Sequence, residues 1–330
     1  MNLSEVFASF DLKRIAIIGD VMVDSYILGK VHRMSPEAPV PVVLKHKEQY
    51  RLGGAANVAL NLKALGAEVF VCSVVGEDDF GKKIQELFNL SSIHCHDLFP
   101  VGTRQTTVKT RVLSGSQHLL RIDQEDTHDI DEETAAILIH AVKNRIDKGL
   151  DALIFEDYNK GVLTEKVVRE LIDYAQAKQV ITCVDPKKDR FFAFKNVTLF
   201  KPNLKEIREG LGVEINPKNL DSLLNASFKL RETLHHSISL FTLSEHGVFV
   251  DDTENPGIIP AHFRDIADVS GAGDTVIAVA TLALCCGLTP RQMGALANLA
   301  GGLVCEHSGV VSVNKSELLT EALRLPQFHE

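Results

Sequence analysis

The chain has 330 residues, 45% of them hydrophobic and 24% charged, which excludes a disordered polypeptide and fits a globular protein with one large core, alone or with a small appendage. A formal charge of −9 argues against a nucleic-acid-binding surface, so an anionic ligand would have to be met by locally gathered basic groups. The six cysteines have no C-x-x-C spacing, the first residues carry Glu5 and Asp11 without a signal-peptide pattern, and the longest apolar run, 276–286, is too short for a bilayer. Buried thiols in a cytoplasmic protein are expected, with no zinc site and no membrane or nucleic-acid partner.

Residues 14–18 form a continuous apolar run ending at Gly19 and Asp20, the pattern of a buried parallel strand that stops at a polar loop. Ligands of open α/β sheets bind off the carboxyl ends of strands. Asp20 and Asp24 are therefore candidate acceptors for substrate hydroxyls, with solvated loop acids as the equal alternative. Prolines at 36, 39 and 41 exclude a helix, and 40–44 predicts an edge strand. Two further extended runs, 106–112 and 118–122, are joined by Ser114-Gly115-Ser116, a hairpin signature. These excursions, about 21–50 and 101–123, predict a small sheet that packs over the main domain as a lid or against a second copy.

Between the excursions, Arg51-Leu52-Gly53-Gly54-Ala55-Ala56-Asn57 predicts a loop entering a helix over 58–65 that Gly66 closes. Its small residues permit close approach of a ligand, or simply close packing. Arg51 could supply a charge there and Asn57 a bidentate polar contact. Residues 76–83 nearly fit a P-loop but lack the final Ser or Thr and carry interior acids, which leaves a turn into a helix.

From 131 onward strands and helices alternate, as right-handed crossovers in a mainly parallel sheet require. Helices are predicted over 132–146, 165–177 (capped by Thr164) and 220–234, and strands over 152–155, 180–184, 198–200 and 238–243. Polar clusters follow four of these strands: Asp157 to Gly161, Asp185 to Lys187, Lys201 to Glu206, and Ser244 to Gly247. The stretch Asp268-Val269-Ser270-Gly271-Ala272-Gly273-Asp274 then precedes an apolar helix. Its glycines let backbone approach a ligand, and the helix start favours an anion. An acid at that point is either a general base beside a phosphoryl group or an ordinary helix cap. No complete dinucleotide fingerprint, H-E-x-x-H motif, nucleophile elbow or internal repeat occurs.

Taken together, Gly53 to Asn57, Asn203-x-x-Glu206 and Asp268 to Asp274 resemble the signatures of the ribokinase-like (phosphofructokinase B) sugar kinases. The resemblance implies a three-layer α/β/α sandwich with a mainly parallel sheet and a small β-sheet lid, one kinase domain over 1–330. The segments 19–24, 34–43, 53–59, 157–161 and 268–276 are similar, within that family, to the kinase domain of bacterial ADP-heptose biosynthesis. That likeness implies transfer of the γ-phosphate of ATP to O1 of D-glycero-D-manno-heptose 7-phosphate, giving heptose 1,7-bisphosphate for lipopolysaccharide. A kinase for fructose phosphate or ribose, or a non-catalytic sugar-phosphate sensor, are the alternatives. Such kinases are often fused to a nucleotidyltransferase domain, and the chain stops before one could begin, so a stand-alone kinase is expected.

Position by position, the resemblance makes Asp274 the base and Gly271, Ala272 and Gly273 the anion hole. It puts Asn203 and Glu206 at Mg2+ through waters. Asp185, Lys187, Ser244, Gly247 and Asn298 fall near the nucleotide, and Asp268 and Ser270 at a potassium ion. Asp20, Asp24, Gly53, Gly54, Asn57 and Asp157 fall at the sugar, and Arg51, Lys109, Arg111, Arg121 and Lys160 are the cations for its phosphate. Glu156 stands where relatives often have Ser, and Ser270 where Thr is common. A homodimer clasped through the lids is also implied.

Overall fold

The computed structural model describes residues 2–115 and 117–328, so Ser116 of the expected hairpin turn lies outside the described residues. A short helix, α1 (Leu3–Ser9), leads into β1 (Arg14–Gly19). The chain leaves the main sheet for two 14-residue strands, β2 (Val21–Met34) and β3 (Pro41–Gly54), and returns through α2 (Ala55–Ala64) to β4 (Glu68–Gly76). After α3 (Asp79–Leu90) and β5 (His94–Val101) it leaves again for β6 (Val108–Ser114) and β7 (Gln117–Gln124). The alternating part follows: α4 (Glu132–Asp147), β8 (Ala152–Glu156), α5 (Glu165–Ala177), β9 (Ile181–Asp185), β10 (Leu199–Phe200), α6 (Leu204–Leu211), α7 (Leu220–Leu234) and β11 (Ile238–Thr242). Strands β12 (Val248–Asp251) and β13 (Gly257–Ile259) then lead to helices α8 (Ala272–Cys285), α9 (Pro290–Cys305) and α10 (Lys315–Ala322).

Nine strands form one sheet in the order β13-β12-β11-β10-β9-β8-β1-β4-β5. It is parallel from β11 through β5, and only β12 and β13 add antiparallel pairs. Side chains of β1 alternate between two cores. Ile15 and Ile17 pack with residues of α2, α8 and α9, whereas Ala16 and Ile18 pack with residues of α4, α5 and α7. Because helices cover both faces, the strand is apolar throughout rather than alternating with polar residues. The result is a three-layer sandwich whose β8, β9 and β10 end side by side.

The small sheet has the order β3-β2-β6-β7, with β2 and β6 parallel and the outer pairs antiparallel. Its longest difference from expectation lies at residues 51–54, which continue β3 instead of forming a loop: Asp24 pairs with Arg51, Met22 with Gly53 and Val21 with Gly54. This pairing is non-local, so the glycine-rich local sequence does not announce it. Glycine is still needed. A Cβ on Gly53 would come 2.4 Å from Asp24 Oδ2, and Gly54 has φ +60° with Asp20 O 2.4 Å from where its Cβ would lie. As a consequence α2 begins at Ala55, three residues ahead of expectation.

Candidate active site

Gly271, at φ +81°, caps α8, and Asp274 lies in the first turn. The dipole there favours a negative charge, but the side chain is buried. Burial pushes the Asp274 carboxyl up to about 6, against two hydrogen bonds that favour its ionised form. Asn57 Nδ2 donates to Oδ2 at 2.7 Å and the Tyr158 hydroxyl to Oδ1 at 2.8 Å. A Cβ on Gly271 would sit 2.7 Å from that same Asn57 nitrogen, so glycine is what lets α2 and α8 share the contact. One turn further on, Thr275 donates to Asn61 at 3.1 Å and locks the same two helices together. Among the described residues Asn57 Oδ1 is buried without a hydrogen-bond partner.

The expected anion hole is only partly open. The Ala272 N–H returns to Val269 O at 3.3 Å, which removes it from the set. Around Gly273, the nearest groups that a Cβ would meet are Asp185 Oδ2 and Lys201 Nζ, at 3.7 and 3.8 Å. The backbone at the start of α8 therefore looks onto the charged ends of β9 and β10.

Those ends form a buried ionic cluster. Asp185 is paired with Lys201 at 2.9 Å and Lys187 at 3.3 Å, and Lys187 also reaches Glu206 at 2.8 Å. Burial acts to raise Asp185, yet the two ammonium groups hold it below the usual carboxylate range. Burial likewise acts against the charge on Lys187, and Asp185 and Glu206 hold it raised. Asn203 and Glu206 form a reciprocal capping box at the start of α6, at 2.8 and 2.9 Å. Both Glu206 oxygens and Asn203 Oδ1 are thus engaged, which fits positioning of Mg2+ through water better than direct ligation. Tyr158 completes the group, its ring 5.2 Å from Lys109 Nζ and 5.3 Å from Lys187 Nζ. Neither Tyr158 nor Lys201 was among the expected site residues. Both follow a strand end, which was the available signal, but their roles depend on groups far away in the chain.

Several expected sugar contacts have other tasks. Asp20 accepts the N–H groups of Tyr158 at 2.8 Å, Lys160 at 3.1 Å and Val162 at 3.3 Å, so it shapes the 157–162 loop. Asp157 accepts from Asn159 N at 2.8 Å and Lys187 N at 3.3 Å and turns the same loop. Its carboxyl is pushed up to about 6 by burial and by Asp20.

The cations also differ from one another. Asp24 neutralises Arg111. Arg51 donates to Val310 O at 3.2 Å and lies over Tyr26, fastening β3 to the loop after α9. Lys160 is paired with Glu125 at 2.8 Å, and Arg121 with Asp123 on the exposed edge strand. Like Arg51, Lys109 is in no ion pair among the described residues, and burial lowers its pKa.

Gly247 and Asn298 converge on one segment. A Cβ on Gly247 would strike Ile259 O, and Asn298 Nδ2 donates to Pro260 O at 2.9 Å. Ser244 begins the 3-10 turn that Gly247 ends. Asp268 accepts from Ser270 N at 2.9 Å and Gly309 N at 3.0 Å, tying the loop ahead of α8 to the loop after α9.

This arrangement of an acid at a helix start, two buried lysines and a covering sheet can be compared with known proteins. Residues 12–317 match the model of the pfkB family carbohydrate kinases. The chain belongs to this family. The pfkB kinase chain is 39% identical over 321 residues to the bifunctional protein HldE of Helicobacter hepaticus, covering 96% of this chain and 66% of that protein. It is 39% identical over 304 residues to HldE of Aliarcobacter butzleri, covering 92% of this chain and 63% of the other. The chain thus spans slightly less than two thirds of these relatives. Phosphofructokinase-2 from Escherichia coli, solved in complex with potassium, superposes with a TM-score of 0.79 at 17% identity, over 94% of this chain and 99% of the other. Arabidopsis thaliana ribokinase, complexed with ribose and ATP, superposes with a TM-score of 0.72 at 16% identity, over 95% and 99%. These two likenesses establish the ribokinase-like fold of the pfkB kinase.

Proposed function

We propose that this pfkB kinase transfers the γ-phosphoryl group of ATP to O1 of D-glycero-D-manno-heptose 7-phosphate, giving heptose 1,7-bisphosphate for lipopolysaccharide precursors in the cytoplasm. The observation that carries the chemistry is Asp274, held by Asn57 and Tyr158 in the first turn of α8 beside Lys187 and Lys201. In the forward step Asp274 accepts the O1 proton as the O1–phosphorus bond forms and the bond to the departing ADP oxygen breaks. First-turn N–H groups at Gly271 and Gly273 face the phosphoryl oxygens, and the two lysines offset the charge that collects on the leaving group. Asn57 Oδ1, otherwise unpartnered, accepts from a sugar hydroxyl. Asn203 and Glu206 would hold Mg2+ through waters, with Asp185 assisting, and the ion would supply charge neutralisation on the phosphates.

The heptose reading is supported by the motif likeness and by the HldE relatives. Lys109, half-buried and beside the Tyr158 ring, is the first contact for the 7-phosphate, within a field from Arg51, Arg111, Arg121 and Lys160. Ser244, Gly247 and Asn298 shape the nucleotide side, and Asp268 with Ser270 is the place for potassium. The exposed apolar side chains Leu44, Leu120 and Ile122 on the small sheet suit a homodimer that clasps two such sheets as lids. A sugar panel with ATP and Mg2+, read by ADP release with and without potassium, tests the assignment. Heptose 7-phosphate should give the highest kcat/KM; no release with it would overturn the substrate.

A further inference from the structure

The loop between α9 and α10, residues 306–314, carries no group that the phosphoryl-transfer scheme uses, yet it joins three parts of the molecule. Its Gly309 N–H donates to Asp268 Oδ2 at 3.0 Å, while Asp268 Oδ1 accepts from Ser270 N at 2.9 Å, so the loop is fastened to the turn that precedes α8. Val310 packs on the same turn, since a Cβ on Gly271 would lie 3.1 Å from Val310 Cγ1. Val313 N donates to Asn61 Oδ1 at 3.0 Å, the atom that also accepts from Thr275 of α8, which adds α2 to the junction. The remaining attachment is to the small sheet: Arg51 Nη1, from β3, donates to Val310 O at 3.2 Å. The approach is close. A Cβ on Gly309 would lie 2.8 Å from Arg51 Nη1 and would displace the guanidinium from this contact.

The small sheet holds Arg51 in place for this bond. In the strand register Arg51 lies opposite Asp24 and Arg111 opposite Tyr26, which puts all four on one face of the sheet. The guanidinium carbons of Arg51 and Arg111 lie 5.0 and 5.4 Å from the centre of the buried Tyr26 ring, a placement that attraction to the ring favours. Arg111 takes Asp24 as its partner, and Arg51 is in no ion pair among the described residues. Its charge is thus spent on the ring and on a main-chain carbonyl, and a bond from a charged donor is stronger than one between neutral groups. The path from β3 to the head of α8 is short. It runs from Arg51 to Val310 O, back one residue to Gly309 N, across to Asp268 and on to Ser270 N.

We propose that Arg51 is a positioning residue, which through Val310, Gly309 and Asp268 sets the 268–271 turn and so links the small sheet to the N–H groups at the start of α8. The link itself is a property of the fold. Its consequence for turnover rests on the kinase reading above: with the turn loosened, the N–H groups of Gly271 and Gly273 are poorly aimed at the phosphoryl oxygens, and lost alignment lowers kcat more than it weakens substrate binding. Arg51 differs in this from a contact to the sugar's phosphate, whose loss falls on KM.

Hydrogen–deuterium exchange on the whole chain without ligands tests the link. Arg51→Met should raise exchange of the amides in 268–271 and 307–311 by about tenfold or more with β8 and β9 at the wild-type level, whereas Arg51→Lys, which keeps a cationic donor, should stay within about threefold of the wild type. Unchanged exchange at 268–271 in Arg51→Met, or a rise spread over the main sheet, would overturn it. Steady-state kinetics with ATP, Mg2+ and heptose 7-phosphate test the consequence. Arg51→Met should lower kcat about tenfold and move KM for the sugar by less than about threefold, the reverse of a residue that only holds the 7-phosphate. When Arg51→Met and Asp268→Asn are combined, kcat should fall no more than about twofold below that of Asp268→Asn alone, because both changes cut one path. A rise in KM with kcat intact, or multiplied losses in the double variant, would remove Arg51 from that path. The exchange measurement uses no sugar, so a failed heptose assay leaves it standing.

Discussion

Charges near the start of α8 are buried and unequal in number, whereas those on the small sheet are partly exposed, some of them paired and others not. In the first region Asp185 has Lys201 and shares Lys187 with Glu206, and among the described residues neither side-chain oxygen of Glu156 has a hydrogen-bond partner. In the second, Arg111 has Asp24, Lys45 has Glu48 and Arg121 has Asp123, while among the described residues Lys30, Arg33, Lys47, Arg51 and Lys109 are in no ion pair. Burial makes each unmatched charge in the first region expensive. Solvent screens the second, where individual cations are replaceable.

The sharpest way to break this contrast is Lys201→Met. It strips a buried carboxylate of one of its two partners, and unfolding free energy should fall by about 3–5 kcal/mol in a urea titration. A loss below about 1 kcal/mol would show that the cluster is not electrostatically dependent on its lysines. Next in size, Asp274→Asn should lower turnover by about two orders of magnitude or more while secondary structure by circular dichroism stays intact. Near-normal turnover would remove Asp274 from the chemistry.

The pH profile follows from the same residue. Asp274 is pushed up to about 6, so its base form prevails above that pH and is lost below it; kcat/KM should fall as pH drops through about 6. Tyr158→Phe removes a hydrogen bond that favours the ionised form. The acid limb should therefore move to higher pH, with kcat at the plateau down about tenfold. A plateau change without movement of the limb would reduce Tyr158 to packing.

On the small sheet the effects should be milder. Lys109→Met should raise KM for a phosphorylated sugar about tenfold with little change in kcat, because a contact remote from the reacting atoms contributes equally to ground and transition states. Arg121→Gln should alter stability by no more than about 0.5 kcal/mol, its partner Asp123 lying on the same exposed strand. A larger effect of Arg121→Gln than of Lys109→Met in the KM assay would invert the ranking.

Much of this was legible in the chain before folding. The bounds of α7 at 220 and 234, the Thr164 cap of α5 and the apolar β1 run follow from period and capping chemistry within a few residues of each other. The Gly271 to Asp274 turn announces an acid at a helix start for the same reason, since backbone freedom and dipole direction are local properties. What folding added are relationships across long separations. Gly53 and Gly54 became strand because β2 pairs with them, and Asp20 became a brace because the 157–162 loop presents three N–H groups to it. Asp274 owes its raised pKa to the exclusion of water, opposed by the hydrogen bonds of Asn57 and Tyr158, 217 and 116 residues away. Residue types and local spacing set the elements and the kind of chemistry; the charge state and partner of each buried acid depend on which distant groups share its dry environment, which is a property of packing alone.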